Sequence, residues 1–318
     1  MKRNIGYLIY ELTNNSRQSN SELARKLGIT PQGVAYLNRK LSSESKIIDK
    51  TILLNTLLLG YTGMIMFFNL KHYSTSKLKE IIGYLKETPE ISSIHLGQYG
   101  YDCIAEYNVM SISAIERVLA ELLEKHSEDI ESPEYSTITS KWHYGRQYQR
   151  RTKPRRGIEM SAGHRNLQLT KRQYNLIKIL IQDASAPISE LSKKTKLSPQ
   201  TTRKELGKME NDQIIMGYTC NIRYDKIGIS KFFIFVKLSN ADIAEPEKFV
   251  RFLRNNKNII EAYRMIGYYD YMLVIESYGD IPFIESLRNE FSPQKYTVAR
   301  LGGTFKDTPI DPIMLRYE

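Results

Sequence analysis

The segment Ser21-Glu-Leu-Ala-Arg-Lys recurs as Ser189-Glu-Leu-Ser-Lys-Lys, and Ile29-Thr-Pro-Gln32 recurs as Leu197-Ser-Pro-Gln200. Both second copies lie 168 positions downstream of the first, and the offset persists. Met64–Leu70 (MIMFFNL) overlies Phe232–Leu238 (FFIFVKL), and Tyr101-Asp102 overlies Tyr269-Asp270. A period this long marks duplication of a whole folding unit, not a solenoid. The 318 residues leave room for two or more domains with real cores.

The unit opens with a helix pair. Ile188–Thr195 reads as a short amphipathic helix followed by a brief turn. Ser198 then offers a hydroxyl to cap free backbone N–H groups, and Pro199 is pre-set for a first helical turn. Thr202, Leu206 and Met209 fall on one face of that second helix. Gln200, Arg203, Lys204 and Lys208 fall on the other, as long donors suited to phosphates and base edges. Ile214–Thr219 follows as a strand. In the first copy Thr30 caps, Pro31 starts the helix, and Val34, Leu37 and Leu41 face inward, leaving Gln32, Tyr36, Arg39 and Lys40 outward. Helix, turn, capped basic helix, strand is the order of a winged helix-turn-helix.

"LSP" opening the second helix and the strand "IIMGYT" resemble the Lrp/AsnC (feast/famine) transcription regulators, which join a helix-turn-helix to a βαββαβ effector domain. The rest of each half fits that order. In the second, strands at Lys231–Leu238, Ile259–Ile266, Tyr271–Ser277 and Lys295–Phe305 alternate with helices at Pro246–Asn255 and Ile281–Phe291. In the first, Met64–Leu70, Ser76–Lys86, Ile91–Leu96, Asp102–Asn108, Ile112–Lys125 and Tyr135–Trp142 play the same parts. The expected class is α+β: two winged helix-turn-helix domains, each followed by a ferredoxin-like βαββαβ effector domain. The expected limits are 1–50, 51–144, a basic linker at 145–166, 167–220, and 221–318 with a C-terminal tail. MIMFF and FFIFV do not alternate apolar with polar, so both faces of those strands should be covered. The helices cover one; a second sheet, from the sister half or from another chain in a homodimer, should cover the other.

Charge follows this division. The net charge is +11, with +5 over residues 1–50, +6 over 145–166 and +4 over 167–218, against −5 over 51–144 and +1 over 219–318. The excess sits on both helix pairs and the linker, which favours a polyanion such as double-stranded DNA. The linker reads either as a basic arm reaching DNA or as a solvated tether. Thr51–Leu70 is uncharged over twenty residues, but Asn55, Thr56 and Gly60-Tyr-Thr-Gly63 cut it into strand-length pieces rather than a membrane helix. Two cysteines far apart, Cys103 and Cys220, and no apolar leader fit a reducing cytoplasm.

The candidate DNA-contacting residues are Gln32, Tyr36, Arg39, Lys40, Lys193, Lys194, Ser198, Gln200, Thr201, Arg203, Lys204 and Lys208. Gly207 inside the second reading helix costs it about 1 kcal/mol against Ala. The resemblance further implies an amino-acid-like effector near a Gly-x-Tyr-Asp loop, here Gly267, Tyr269 and Asp270, with Tyr101 and Asp102 in the altered first copy. The same residues also suit a turn needing no ligand, Gly for positive φ and Asp for local hydrogen bonds. Gly302-Gly303 reads as a bulge or close backbone approach. The five histidines, His72, His95, His126, His143 and His164, lack metal spacing, and no phosphate loop, nucleophile elbow or dinucleotide fingerprint is present, so no cofactor is expected. Sirohaem decarboxylases share the fold order and would need His, Arg and Tyr around a tetrapyrrole. His95 and His143 lie on strands, but the basic outward faces of the reading helices favour a regulator. A third reading is a sensor or architectural protein with one idle helix-turn-helix.

Overall fold

The computed structural model describes residues 2–44, 46–150, 157–162, 167–240, 245–279 and 283–318. The first helix-turn-helix unit comprises three helices, α1 (Lys2–Asn14), α2 (Asn20–Leu27) and α3 (Pro31–Ser43), followed by strand β1 (Ile47–Leu54). The second comprises α6 (Lys171–Gln182), α7 (Ile188–Thr195) and α8 (Pro199–Asn211), followed by β7 (Ile215–Ile222). The cap residues act as their chemistry requires: Thr30 Oγ1 accepts from Gly33 N at 3.1 Å and Ser198 Oγ from Thr201 N at 3.1 Å.

β1 and β7 pair with each other, antiparallel, so the two helix-turn-helix units share one two-stranded wing. Cys220 and Ile222 at one end of β7 complete the apolar core of the first unit. Ile52 and Leu54 of β1 complete that of the second, together with Ile310 and Leu315 from the C-terminal tail. Each core thus borrows from the other half of the chain. Hydrogen bonds repeat at the same offset: Ser16 N donates to Tyr218 O at 3.0 Å and Ala184 N to Lys50 O at 2.8 Å. β1 runs through the expected boundary at residue 50, because the charged residues Asp49 and Lys50 lie mid-strand.

The remaining strands are β2 (Thr62–Phe68), β3 (Ile91–Tyr99), β4 (Cys103–Val109) and β5 (Glu134–His143) in the first half. In the second they are β8 (Ser230–Lys237), β9 (Ile259–Gly267), β10 (Tyr271–Ser277) and β11 (Lys295–Asp307). Their order is β2-β4-β3-β11-β8-β10-β9-β5, and β5 returns to pair with β2. The eight strands therefore close into a barrel, half from each repeat. Helices α4 (Thr75–Glu87) and α5 (Ile112–His126) cover one side. Helices α9 (Pro246–Asn255) and α10 (Phe283–Glu290) cover the other. Residues 281–282 of the expected last helix lie outside the described residues.

Barrel closure explains the strands that lack alternation. Met64, Met66 and Phe68 pack under the helices, while Ile65 and Phe67 enter the lumen. Phe232, Ile234 and Val236 face the other helix layer, and Phe233 and Phe235 enter the lumen from the opposite wall. The second covering sheet is thus the sister half of the same chain, joined edge to edge. Phe67 and Phe235, related by the 168 offset, meet with ring centroids 5.0 Å apart, so an internal two-fold axis passes between them. The offset shortens to 163 in the last strand, since Phe67 pairs with Glu134 but Phe235 with Thr297. Leu301 pairs with Gly97 and Gly303 with Leu96, leaving Gly302 bulged with its would-be Cβ 3.0 Å from Gln98.

The stretch at 145–166 departs from a linker. Arg146 is buried, with Nε and Nη2 donating to Glu276 at 2.9 and 3.0 Å. Arg150 Nη1 donates to Glu11 at 3.1 Å, and Ile158–Ser161 forms β6, paired with β5. Its first two arginines are consumed inside the protein. Composition could not register this, because the buried carboxylate that claims Arg146 lies 130 positions away. Residues 151–156 and 163–166, including His164, lie outside the described residues.

Candidate nucleic-acid interface

The reading helices present their sequence-predicted faces. Gln32, Tyr36 and Arg39 of α3 are exposed and Lys40 is half-buried, in an i,i+4 pair with Glu44 at 3.8 Å. Gln200, Arg203, Lys204 and Lys208 of α8 are exposed, and none of the four has an ion-pair partner among the described residues. Val34, Leu37 and Leu41 are buried beneath α3, as Thr202, Leu206 and Met209 are beneath α8. Ser198 and Thr201 are partly engaged already: the Ser198 hydroxyl caps α8 and lies 2.9 Å from the Thr201 hydroxyl. Lys193 is exposed on α7, and Lys194 pairs with Glu190 at 2.7 Å. An exposed pair of this kind is worth little and yields readily to a phosphate.

The effector candidates sit elsewhere. Tyr101 and Tyr269 are buried in the barrel, where their hydroxyls meet across the internal axis at 2.9 Å. Tyr101 Oη donates to Glu134 at 2.7 Å and Tyr269 Oη lies 2.6 Å from Thr297 Oγ1, a second pair related by the two-fold. Asp102 and Asp270 each accept a backbone N–H, from Leu70 and Leu238, both at 2.8 Å. Gly267 takes φ +139, and a Cβ there would lie 2.9 Å from Tyr135 O. Both aspartates thus hold the end of a neighbouring strand 32 positions away, and both tyrosine hydroxyls are engaged inside the barrel. Only Gly267 and Asp270 of these five reach an open groove, of about 660 Å³, which Lys237, Arg264 and Tyr271 also line.

One cluster escaped sequence reasoning. His95, Glu106, His143, Lys231, Glu261 and Asp307 line a cavity of about 70 Å³ inside the barrel, beside Thr219 and Asn221 of the wing. Glu106 is ion-paired to Lys141. Burial works against a charged Glu261, but the His143 imidazole 3.1 Å away, Lys231 and the Tyr263 hydroxyl outweigh it and hold its pKa down at about 2. Burial and then Lys231 lower His95 well below the ordinary histidine range. The alternation of these residues along separate strands left no local motif to find. No group of three or more His, Cys, Asp or Glu side chains suited to a metal occurs among the described residues. Both cysteines are buried free thiols, raised by burial to about 12 for Cys103 and about 11 for Cys220.

A family model for winged helix-turn-helix DNA-binding matches residues 8–48 and again 169–216, and one for the Lrp/AsnC ligand binding domain matches 231–277. In these two domains the chain resembles the Lrp/AsnC family. It is 29% identical over 136 residues to the HTH-type transcriptional regulator LrpC of Bacillus subtilis, covering 42% of this chain and 92% of LrpC. An uncharacterized HTH-type transcriptional regulator of Pyrococcus furiosus is 29% identical over 141 residues, 44% of this chain and 93% of that one. Across nearly its full length the fold is that of the siroheme decarboxylase NirDL. The TM-score is 0.62 at 14% identity, over 97% of this chain and 94% of that one. The same enzyme with an iron-uroporphyrin III analogue gives 0.60 at 16% identity, over 97% and 93%. At such identity the likeness concerns the fold alone. Among the described residues no helix is long and apolar enough to cross a membrane.

Proposed function

We propose that the chain is a cytoplasmic, sequence-specific DNA-binding transcription regulator acting as an internal pseudo-dimer, with α3 and α8 as its two reading helices. We read it as winged helix-turn-helix domains at 1–50 and 167–220 and ferredoxin-like βαββαβ effector domains at 51–144 and 221–318. Within each half the sheet order 5-2-4-3 or 11-8-10-9 supports the ferredoxin-like assignment. The observation that carries the functional reading is the shared wing. It holds two exposed basic helices on one body, as a dimeric regulator holds its two. Arg203, Lys204, Arg39 and Lys40 read base edges, Gln32, Tyr36 and Gln200 assist, and Lys193, Lys194, Thr201 and Lys208 contact phosphates. Response to an amino-acid-like effector at the loop rests on the open groove beside Gly267 and Asp270. The test is DNA affinity against salt. With about six phosphate contacts, log affinity should fall with log salt at a slope near −5. A flat response refutes the reading.

A decarboxylase reading is favoured by the full-length fold likeness and by His95 and His143 in the barrel. Against it stands the cavity, about 70 Å³, where ligand pockets of drug-sized molecules span roughly 300–1,000 Å³. Soret absorbance retained after incubation with an iron tetrapyrrole and gel filtration would favour the enzyme; none is expected.

A further inference from the structure

The face that each reading helix turns away from its core carries five positions, spaced i, i+3, i+4, i+7 and i+8. On α3 these are Gln32, Ala35, Tyr36, Arg39 and Lys40. On α8, at the 168 offset, they are Gln200, Arg203, Lys204, Gly207 and Lys208. The outer pairs match: glutamine opens both faces and lysine closes both. The three central positions differ in kind. A methyl group, a phenol ring and a guanidinium on α3 stand where α8 has a guanidinium, an ammonium and no side chain at all.

Two of these central residues have no reason in the fold. Tyr36 is 53% exposed and has no hydrogen-bond, ion-pair or ring partner among the described residues. A lone exposed tyrosine is ordinary on a protein surface, but this one replaces a lysine in the middle of a face suited to a polyanion. Gly207 lies inside α8, where glycine lowers helix stability relative to alanine. It does not take a positive φ, and a Cβ added there would meet nothing within 4 Å. Neither backbone strain nor crowding within the protein calls for glycine at that place. What a bare helix position does permit is close approach of another molecule to the backbone.

We propose that the two helices read different chemical features of the base pairs, with Tyr36 and Gly207 as the specificity-determining positions. Gly207 lets α8 seat closely in the major groove, so that Arg203 and Lys204 reach guanine O6 and N7. The central side chains of α3 hold it farther out. There Tyr36, with the Ala35 methyl beside it, packs on thymine C5-methyl groups, and Arg39 takes a guanine. The methyl contact is where tyrosine and lysine part: ring carbons against a methyl group release water, whereas an ammonium there would lose hydration. This rests on the regulator reading and adds to it which bases each helix selects.

The test uses the full chain and the duplex it selects from random DNA, resynthesised with deoxyuridine for thymidine in one half-site at a time. Deoxyuridine keeps every hydrogen bond and removes only the methyl group. The half-site of α3 is the one whose footprint is lost on changing Arg39 and Lys40 to Ala. Deoxyuridine there should weaken binding by about fourfold per contacted methyl group, and should have no effect on Tyr36→Ala. In the half-site of α8 it should change nothing. Gly207→Ala should raise the melting temperature yet weaken specific binding by about tenfold, because the added methyl group meets DNA. Gly83→Ala is its control: Gly83 is exposed inside α4, with open space around its would-be Cβ, so that change should stabilise without touching DNA affinity. Indifference to deoxyuridine in the α3 half-site, an effect that survives Tyr36→Ala, or a stabilised Gly207→Ala that binds like the parent would each overturn the proposal. A steep salt response without the deoxyuridine effect sinks this proposal alone; a flat salt response sinks the regulator reading and this proposal with it.

Discussion

Gly28 and Lys196 occupy the same place in the two helix-turn-helix units, closing α2 and α7 in the left-handed conformation at φ +69 and +56. Glycine holds that geometry without strain, whereas lysine must bear a Cβ clash to do so. The same contrast runs through the cores. Ala24 and Val34 share an apolar cluster in the first unit; their counterparts Ser192 and Thr202 are joined by a buried 3.0 Å hydrogen bond in the second. On the surface, Tyr36 of α3 stands where Lys204 stands in α8. Side chains have diverged and the backbone has not, even where keeping it is strained. The shared wing supplies a reason: β1 and β7 fix the units against each other, so a change of backbone in one would be felt in both.

The comparison breaks most completely if the first unit loses its footing on the barrel. Arg146 sits at the base of the turn whose Arg150 grips Glu11 of α1. Arg146→Ala should destabilise the fold by about 3–5 kcal/mol, because it strands Glu276 in the interior. The double change Arg146→Met with Glu276→Leu should recover most of that. Chemical denaturation of the three proteins checks both statements.

The next effect is on reading. Arg203→Ala or Lys204→Ala should each weaken specific binding by about 1–3 kcal/mol, at one half-site only. Arg39→Ala with Lys40→Ala should do so at the other, and Lys193→Ala should weaken all sequences alike. Footprints at both half-sites that respond equally to either pair would mean the helices have not diverged in what they read.

The turns should respond in opposite directions. Gly28→Ala should cost about 1–2 kcal/mol, while Lys196→Gly should leave stability unchanged or raise it by up to about 1 kcal/mol. Thermal melts compare them directly.

The smallest effect is on pH dependence. Glu261 is held at about 2 against an ordinary 4.5, so its contribution to stability is present above 4.5 and is lost as pH falls towards 2. Glu261→Gln should flatten the acid-side decline in Tm.

Much of this was legible because it is written locally. Thr30-Pro31 and Ser198-Pro199 specify helix starts from adjacent residues, and Val34, Leu37 and Leu41 betray a buried face by spacing alone. The doubly apolar strands MIMFF and FFIFV announced a covered second face. What covered it was not legible, since β3 finds β11 and β9 finds β5 across most of the chain. The wing pairing and the burial of Arg146 were hidden for the same reason. Of the effector residues, Tyr101 and Tyr269 were visible as a repeat, but not as each other's hydrogen-bond partners. The cavity residues were least visible: His95, Glu106, Lys231 and Glu261 come from four strands and converge only once the barrel closes.

Selection of binding sites from random DNA by the full chain, at an oligomeric state fixed by light scattering, tests the central claim most directly. A pseudo-dimer with two unlike reading helices should select one asymmetric site per chain, its two different half-sites spaced near one helical turn, about 10–10.5 bp, or a multiple. A perfect palindrome, or one short motif unaltered when Arg39 and Lys40 are both changed to Ala, would contradict it.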